Sequence, residues 1–230
     1  MGLVTAIVLA SGRATRMGVG LDKCFLSLGP RPVVAWSLLA FEACRDIDSI
    51  ILAVRKDQVA AAKSLQSMFG IRKLKAIVVG GARRQDSVLA ALKEVNPTET
   101  SYVAIHDAAR PCVTPELISE TLKVAQKHGS GVAASPMVDT VKVAGKNLLV
   151  TSTLDRSTLW AVQTPQTFAA DKLIDAYQKL ATDRTVDFTD DASIMEAAGE
   201  SVRLVKWDLP NPKITTVNDL TLAASLLRLN

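Results

Sequence analysis

The sequence predicts an α/β protein: a mostly parallel twisted sheet with helices on both faces and a projecting β-hairpin arm. Three observations carry that expectation. Short apolar, β-rich runs alternate with stretches of helical periodicity. Each run is bounded by turn residues or charges, as strands buried in a parallel sheet usually are. The alternation breaks once, after Val132–Pro136, where two β-rich runs flank a short Gly/Asn turn.

In chain order, Leu3–Leu9, Ser49–Val54, Ala76–Val79 and Tyr102–Ile105 read as strands. Between them Val33–Cys44, Gln58–Phe69 and Asp86–Val95 have apolar residues at helical spacing. Pro115–Lys127 is a further helix, with Thr114 as N-cap, Pro115 at the first helical position and Glu116 close behind. Repeated β-α units imply right-handed crossovers and a sheet covered on both faces. In such sheets ligands sit beyond the carboxyl ends of the strands. The arm spans about 138–156: Thr140–Val143, a turn at Gly145-Lys146-Asn147, then Leu148–Thr153. A two-stranded ribbon is marginal alone, so packing against a second subunit is expected. The helical pattern returns at Asp171–Ala181, Asp190–Ala198 and Val217–Leu229, with a strand at Ser201–Lys206. Without internal repeat or Ser/Pro linker, residues 1–230 read as one domain carrying the arm.

Composition narrows the function. Hydrophobic residues make up 48% and charged residues 22% of the 230, as in ordinary globular proteins. No apolar stretch approaches the roughly 18 residues that span a bilayer. The N-terminus lacks a basic-then-apolar leader, so the expected location is the cytoplasm, or an organellar stroma if a leader has been removed. Cys24, Cys44 and Cys112 are odd in number and widely spaced, which fits reduced, mostly buried thiols. The net charge of +4 is spread along the chain and aromatic residues are only 4%. Nucleic acid is therefore a poor partner, and a pocket for phosphorylated small molecules a better one.

Four stretches hold candidate chemistry. Leu9-Ala10-Ser11-Gly12-Arg13-Ala14-Thr15-Arg16-Met17-Gly18, then Asp22-Lys23, follows the first strand. Small residues there let backbone N–H groups approach phosphates. The spacing matches neither the dinucleotide fingerprint nor the P-loop. Gly80-Gly81-Ala82-Arg83-Arg84-Gln85-Asp86-Ser87 offers a second such turn, although Asp86 and Ser87 also suit helix capping. His106-Asp107-Ala108-Ala109-Arg110-Pro111 puts a carboxylate on the ligand edge, where it could hold a divalent cation. His106 reads as a hydrogen-bonded structural residue, because no Ser or Cys signature accompanies it. The fourth group is scattered: Asp139-Thr140, Leu154-Asp155-Arg156, Trp160, Gln163-Thr164-Pro165-Gln166, Thr189-Asp190-Asp191-Ala192-Ser193 and Asn211-Pro212-Lys213-Ile214-Thr215-Thr216. Asp190 and Asp191 look like ordinary acids at a helix start.

Taken in order, these pieces closely resemble the 2-C-methyl-D-erythritol 4-phosphate cytidylyltransferases of the non-mevalonate isoprenoid pathway, from about Thr5 to about Leu227. H-D-A-A-R-P, D-R-x-x-L-W followed by Q-T-P-Q, and the closing K-I-T-T are the most specific. The resemblance implies an enzyme of Rossmann-like nucleotidyltransferase fold that uses Mg²⁺, CTP and a sugar-alcohol phosphate, and a homodimer whose arms complete the neighbour's site. It makes Arg16 and Lys23 the residues that stabilise the transition state, and Arg156 and Lys213 those that position the substrate phosphate, with Thr140 and Arg110 nearby. Ala10, Ser11, Gly12, Gly81, Ala82 and Ser87 fall where the family holds cytidine and triphosphate, and Asp107 matches the acid near the substrate and metal. Two positions depart from the family pattern. Asp22-Lys23-Cys24 stands where P-K-Q is usual, and Pro212 where Ile is common before the closing Lys.

The implied reaction suits these residues. A phosphate monoester, with a second pKa of about 6, is its own nucleophile at neutral pH. The demand is for cations that bring two polyanions together. Arg13, Arg16, Lys23, Arg83, Arg84, Arg110, Arg156 and Lys213 all lie in the resembling motifs. The rivals are a ribitol 5-phosphate cytidylyltransferase and a non-catalytic nucleotide-binding relative.

Overall fold

The computed structural model describes residues 2–12 and 22–229. In chain order its elements are β1 (Leu3–Ala10), β2 (Ser27–Leu28), β3 (Arg31–Pro32), α1 (Val33–Ala43), β4 (Ser49–Val54), α2 (Val59–Phe69), β5 (Leu74–Val79), α3 (Arg84–Leu92), β6 (Thr100–Asp107), α4 (Pro115–His128) and β7 (Ser130–Pro136). There follow β8 (Lys142–Ala144), β9 (Val150–Thr153), β10 (Trp160–Ala169), α5 (Ala170–Leu180), α6 (Asp191–Ala197), β11 (Leu204–Lys206) and α7 (Val217–Leu226).

A seven-stranded sheet runs β11-β7-β10-β6-β1-β4-β5. Strands β5, β4, β1 and β6 are mutually parallel, as expected of a doubly wound fold. Strand β10 runs antiparallel between β6 and β7, making the sheet mixed. The side-chain alternation of β1 divides the core. Val4, Ala6, Val8 and Ala10 face α1, α2 and α4, where Leu38, Phe41, Leu65, Leu117 and Leu122 meet them. Ile7 and Leu9 face α3, α5 and α6, against Val88, Leu173, Tyr177 and Met195. The period of two thus builds the helical layers on both faces.

Local chemistry sets the element ends. Thr114 Oγ1 accepts from the Leu117 N–H at 3.3 Å, Pro115 opens α4, and Gly129 closes it in the left-handed conformation. Gly131 lets α4 press onto the sheet, since a Cβ there would lie 2.1 Å from the Thr121 carbonyl oxygen. Asp86 caps α3 by accepting from the Arg83 N–H at 3.1 Å.

Three sequence readings change. Strand β6 runs from Thr100 to Asp107, so His106 and Asp107 belong to the strand rather than follow it; Val8 pairs with His106 and Leu9 with Asp107. Strand β10 covers Gln163-Thr164-Pro165-Gln166, a stretch whose polar content and proline hid it. Its pairing with β7 breaks register between Val162 and Gln166, so Pro165, which has no N–H, costs no ladder bond there. The strand expected at Ser201–Lys206 is confined to β11, Leu204–Lys206.

The arm is present. Strands β8 and β9 pair with each other, every residue in them is exposed, and neither joins the main sheet. Among the described residues no helix is long and apolar enough to cross a membrane.

Candidate active site

The carboxyl ends of β1, β4, β5 and β6 form one edge. On its first lip, Ser11 Oγ donates to Ser87 Oγ at 2.8 Å, and Ser87 Oγ accepts from the Gly81 N–H at 3.1 Å. These bonds join the end of β1 to the start of α3. Gly80 permits the approach, because a Cβ on it would sit 2.4 Å from the Ser11 Cβ and 2.8 Å from Ser87 Oγ. Gly12, Gly81 and Ala82 are exposed, and no described residue lies within 4 Å of where a Gly12 Cβ would be. Ala10 is buried at the end of β1, beneath this lip. Open backbone of small residues at a strand end accepts a nucleotide without steric cost.

Next to it, Asp107 closes β6. Its Oδ2 accepts from Lys213 Nζ at 2.6 Å and its Oδ1 from Arg84 Nε at 3.3 Å. The other edge of the Arg84 guanidinium grips Asp191 with two bonds, 2.8 and 2.7 Å. Tyr177 Oη donates to the same carboxylate. Burial would raise the Asp107 pKa, but Arg84 and Lys213 outweigh it and hold the carboxyl below the ordinary carboxylate range. Burial likewise works against the Arg84 charge, yet Asp191 and Asp107 keep the guanidinium firmly protonated. Arg110 donates from Nη1 to the Asn211 carbonyl at 2.7 Å, while its buried Nε has no hydrogen bond among the described residues. Burial lowers its pKa, with Asp107 drawing it back up. Among the described residues, Arg84, Lys213 and Arg110 thus gather around the carboxylates of Asp107 and Asp191.

A second set of bonds fixes this edge. The Asp107 N–H donates to Thr164 Oγ1 at 3.1 Å, so the Thr164 hydroxyl is left to donate to His106 Nδ1 at 3.0 Å. His106 Nε2 then carries the proton and donates to the Arg110 carbonyl at 3.2 Å. Burial pushes the His106 pKa down to about 3, so the ring is neutral with both nitrogens committed. It is a scaffold, as the sequence suggested. Asn211 Nδ2 donates to the Thr164 carbonyl and Gln163 Oε1, and the Ile214 N–H donates to the Ala109 carbonyl at 2.8 Å. Gln166 donates to Asp190 and accepts from the Ala192 N–H. The separate motifs around residues 107, 164, 190 and 213 are thus neighbours in space.

The remaining expected residues sit differently. Arg13 and Arg16 lie outside the described residues. Lys23 is partly exposed in the turn after Asp22. The buried Asp22 accepts from the Cys24 N–H at 3.1 Å, and its Oδ2 lies 3.9 Å from Arg55 Nε. Burial raises its pKa against the pull of Arg55 and Lys23. All three cysteines are free; burial pushes Cys24 up to about 12 and Cys112 up to about 11. Thr140 and Arg156 are exposed on the arm side, and Arg156 Nη1 donates to the Val138 carbonyl at 2.6 Å. No hydrogen bond or ion pair among the described residues joins either of them to Asp107, Arg110 or Lys213.

Two cations expected to face the polyanions are already committed. Arg83 pairs with Asp86 and binds the carbonyls of Ala181, Asp183 and Val186, tying down that loop. Arg84 is held as described. Asp190 caps α6 through the Ser193 N–H at 2.9 Å, as expected. Its neighbour Asp191 is more than a helix acid, since it is fully buried against Arg84 and Tyr177. No local pattern marks those partners, Arg84 lying 107 residues and Tyr177 14 residues away.

Compared with known proteins, residues 4–229 match the family model described as 2-C-methyl-D-erythritol 4-phosphate cytidylyltransferase. The enzyme of that name from Alkaliphilus oremlandii is 40% identical over 226 residues, 97% of this chain and 94% of the relative. That from Bacillus cytotoxicus is 40% identical over 225 residues, 98% of each chain. The crystal structure of 4-diphosphocytidyl-2C-methyl-D-erythritol synthase from Anaerococcus prevotii is similar with a TM-score of 0.85 and 28% identity, covering 99% of this chain and 96% of that one. The cytidylyltransferase structure from Thermus thermophilus gives 0.79 and 29%, covering 99% and 100%.

Proposed function

This chain belongs to the 2-C-methyl-D-erythritol 4-phosphate cytidylyltransferase family, and from that premise we propose how its site carries out the transfer. It is a nucleotidyltransferase of isoprenoid biosynthesis. A phosphate oxygen of 2-C-methyl-D-erythritol 4-phosphate forms a bond to the α-phosphorus of CTP. The bond from that phosphorus to the bridging oxygen breaks, and pyrophosphate leaves with the electron pair. The observation that carries this reading is the meeting of Lys213 and Asp107, 106 residues apart, at the end of β6 beside the open lip of Ser11 and Gly12.

The division of labour follows from charge. The lip at Ser11, Gly12, Gly81, Ala82 and Ser87 takes the nucleotide. Arg16 and Lys23 stabilise charge as the bonds exchange. Lys213, Arg110 and Arg156 orient the incoming phosphate, with Thr140 beside it. No base is required, because the phosphate monoester is largely dianionic at neutral pH. A neutral, fully committed His106 accords with that.

Mg²⁺ is the expected cofactor, and the donor set fits it in one mode. Among the described residues there is no group of three or more His, Cys, Asp or Glu side chains able to hold a metal. Asp107 would hold Mg²⁺ with the nucleotide phosphates as the other ligands, the usual arrangement for this ion. Bound there, it would neutralise negative charge on the triphosphate.

The arm supports a homodimer. Val138, Leu148, Leu149 and Val150 are exposed on it, Leu148 at 85%, an apolar surface that the described residues leave open. We place Arg156 and Thr140 in the partner's site, brought there by the exchange of arms. Soluble phosphorylated substrates accord with a cytoplasmic enzyme.

The test is pyrophosphate release with each nucleoside triphosphate paired with methylerythritol phosphate or ribitol 5-phosphate. Release is expected with CTP and methylerythritol phosphate. Equal release with ribitol 5-phosphate, or CTP binding without turnover, would overturn the reading.

A further inference from the structure

Five side chains form a single alternating line: Tyr177, Asp191, Arg84, Asp107 and Lys213. It starts in the core, where Tyr177 and Asp191 are fully buried, and ends at Lys213, whose side chain is 39% exposed. Burying the Asp191 carboxylate is costly unless it is paired and hydrogen-bonded. Two guanidinium bonds and a phenol hydroxyl satisfy it. Both Nη atoms of Arg84 are then turned to Asp191, and its Nε–H reaches Asp107. Arg84 is therefore not a spare cation for the triphosphate.

The two ends of the line differ in kind. A guanidinium held by two parallel bonds has a fixed plane and orientation. A lysine ammonium is a point charge on a flexible stem and can change partners. When an anion arrives, the link that gives is Lys213–Asp107.

We propose that Asp191 and Tyr177, acting through Arg84, are positioning residues for cytidylyl transfer: they hold Asp107 in one orientation while Lys213 leaves it for a substrate phosphate. This rests on the transferase reading above. Neither residue touches substrate. Their effect should therefore appear in turnover more than in binding.

The experiment compares wild-type enzyme with Arg84→Lys, Asp191→Asn and Tyr177→Phe in the pyrophosphate-release assay, with folding checked by circular dichroism and thermal melting. Arg84→Lys keeps the charge but loses the planar fork. It and Asp191→Asn should lower kcat roughly a hundredfold, the scale of a small misplacement at a reacting centre, and leave the KM for CTP within about threefold. Tyr177→Phe, which loses one donor, should act in the same direction but less. In an Asp107→Asn background, adding Arg84→Lys should cost nothing more, because the line then ends nowhere.

The proposal is overturned if folded Arg84→Lys keeps kcat within about threefold of wild type, if the loss falls on KM alone, or if the two lesions multiply. Should Asp191→Asn fail to fold, Arg84→Lys decides the matter by the same thresholds. An inactive wild-type enzyme would instead sink the transferase reading, and this inference with it.

Discussion

The end of β6 and the arm carry charged residues of the same kind in opposite circumstances. Asp107 is 8% exposed and Asp191 fully buried, and both are held by Arg84, whose orientation is fixed by its two bonds to Asp191. Arg156 is exposed beside a ribbon whose strands have no buried residue. The first region is built by its own chain before any ligand arrives. The second presents surface that this chain does not use. A lesion at the end of β6 should act at every enzyme concentration, whereas one on the arm should act through whatever covers it.

The largest effect is expected in the first region. Lys213→Ala removes the cation that passes from Asp107 to the incoming phosphate in the proposed transfer. By the scale of a lost oxyanion donor, kcat/KM should fall about 10²–10³-fold, or about 2.7–4 kcal/mol. Lys23→Ala should do the same. Steady-state kinetics across a range of enzyme concentrations checks both; near-normal values would remove Lys213 and Lys23 from the chemistry.

Mixing variants sharpens the contrast. Arg156→Ala spoils the arm, and Lys213→Ala spoils the cluster. If each site takes its arm from the neighbour, a mixed dimer has one site with both lesions and one with neither. An equimolar mixture that exchanges subunits freely should then regain about a quarter of wild-type activity, by the statistics of a two-fold dimer. If the arm serves its own chain, mixing inactive variants restores nothing. The mixture thus distinguishes the two geometries in one assay.

The same contrast decides what was legible in sequence. The arm was, because a hairpin is local: Gly145-Lys146-Asn147 between β-rich runs is enough, and β8 and β9 follow. So were the parallel strands and the cap at Thr114, which depend on periodicity and near neighbours. Strand β10 was not. Its stability comes from β6 and β7 on either side, while its own Thr164-Pro165 argues against a strand. At the site, Asp107 and Lys213 could be named, but not their contact. Arg84 and Asp191 are 107 residues apart, and nothing in R-R-Q-D-S or T-D-D-A-S says that one carboxylate is buried under the other's guanidinium. A line of side chains drawn from four elements and the segment before α7 leaves no short-range trace.

The smallest effect belongs at Asp22, where this chain departs from the family pattern beside Lys23. The carboxylate is buried, with one oxygen on the Cys24 N–H and the other, 3.9 Å from Arg55, without a hydrogen bond among the described residues. Burial raises its pKa above 3.8. A carboxyl raised on folding favours the native state below its unfolded pKa, and that contribution is lost as pH rises through the folded value. At neutral pH the ionised Asp22 is therefore a cost. Asp22→Asn keeps an oxygen for the Cys24 N–H and removes the buried charge. Thermal melts should show the variant gaining on wild type as pH rises from about 4 through the folded pKa. Turnover should stay within about threefold, since the side chain faces Arg55 and the Cys24 amide and acts on Lys23 only through space. A tenfold fall in kcat would mean instead that the Asp22 charge sets the position or field of Lys23, and the cluster at β6 would then share its electrostatic control with the turn after β1.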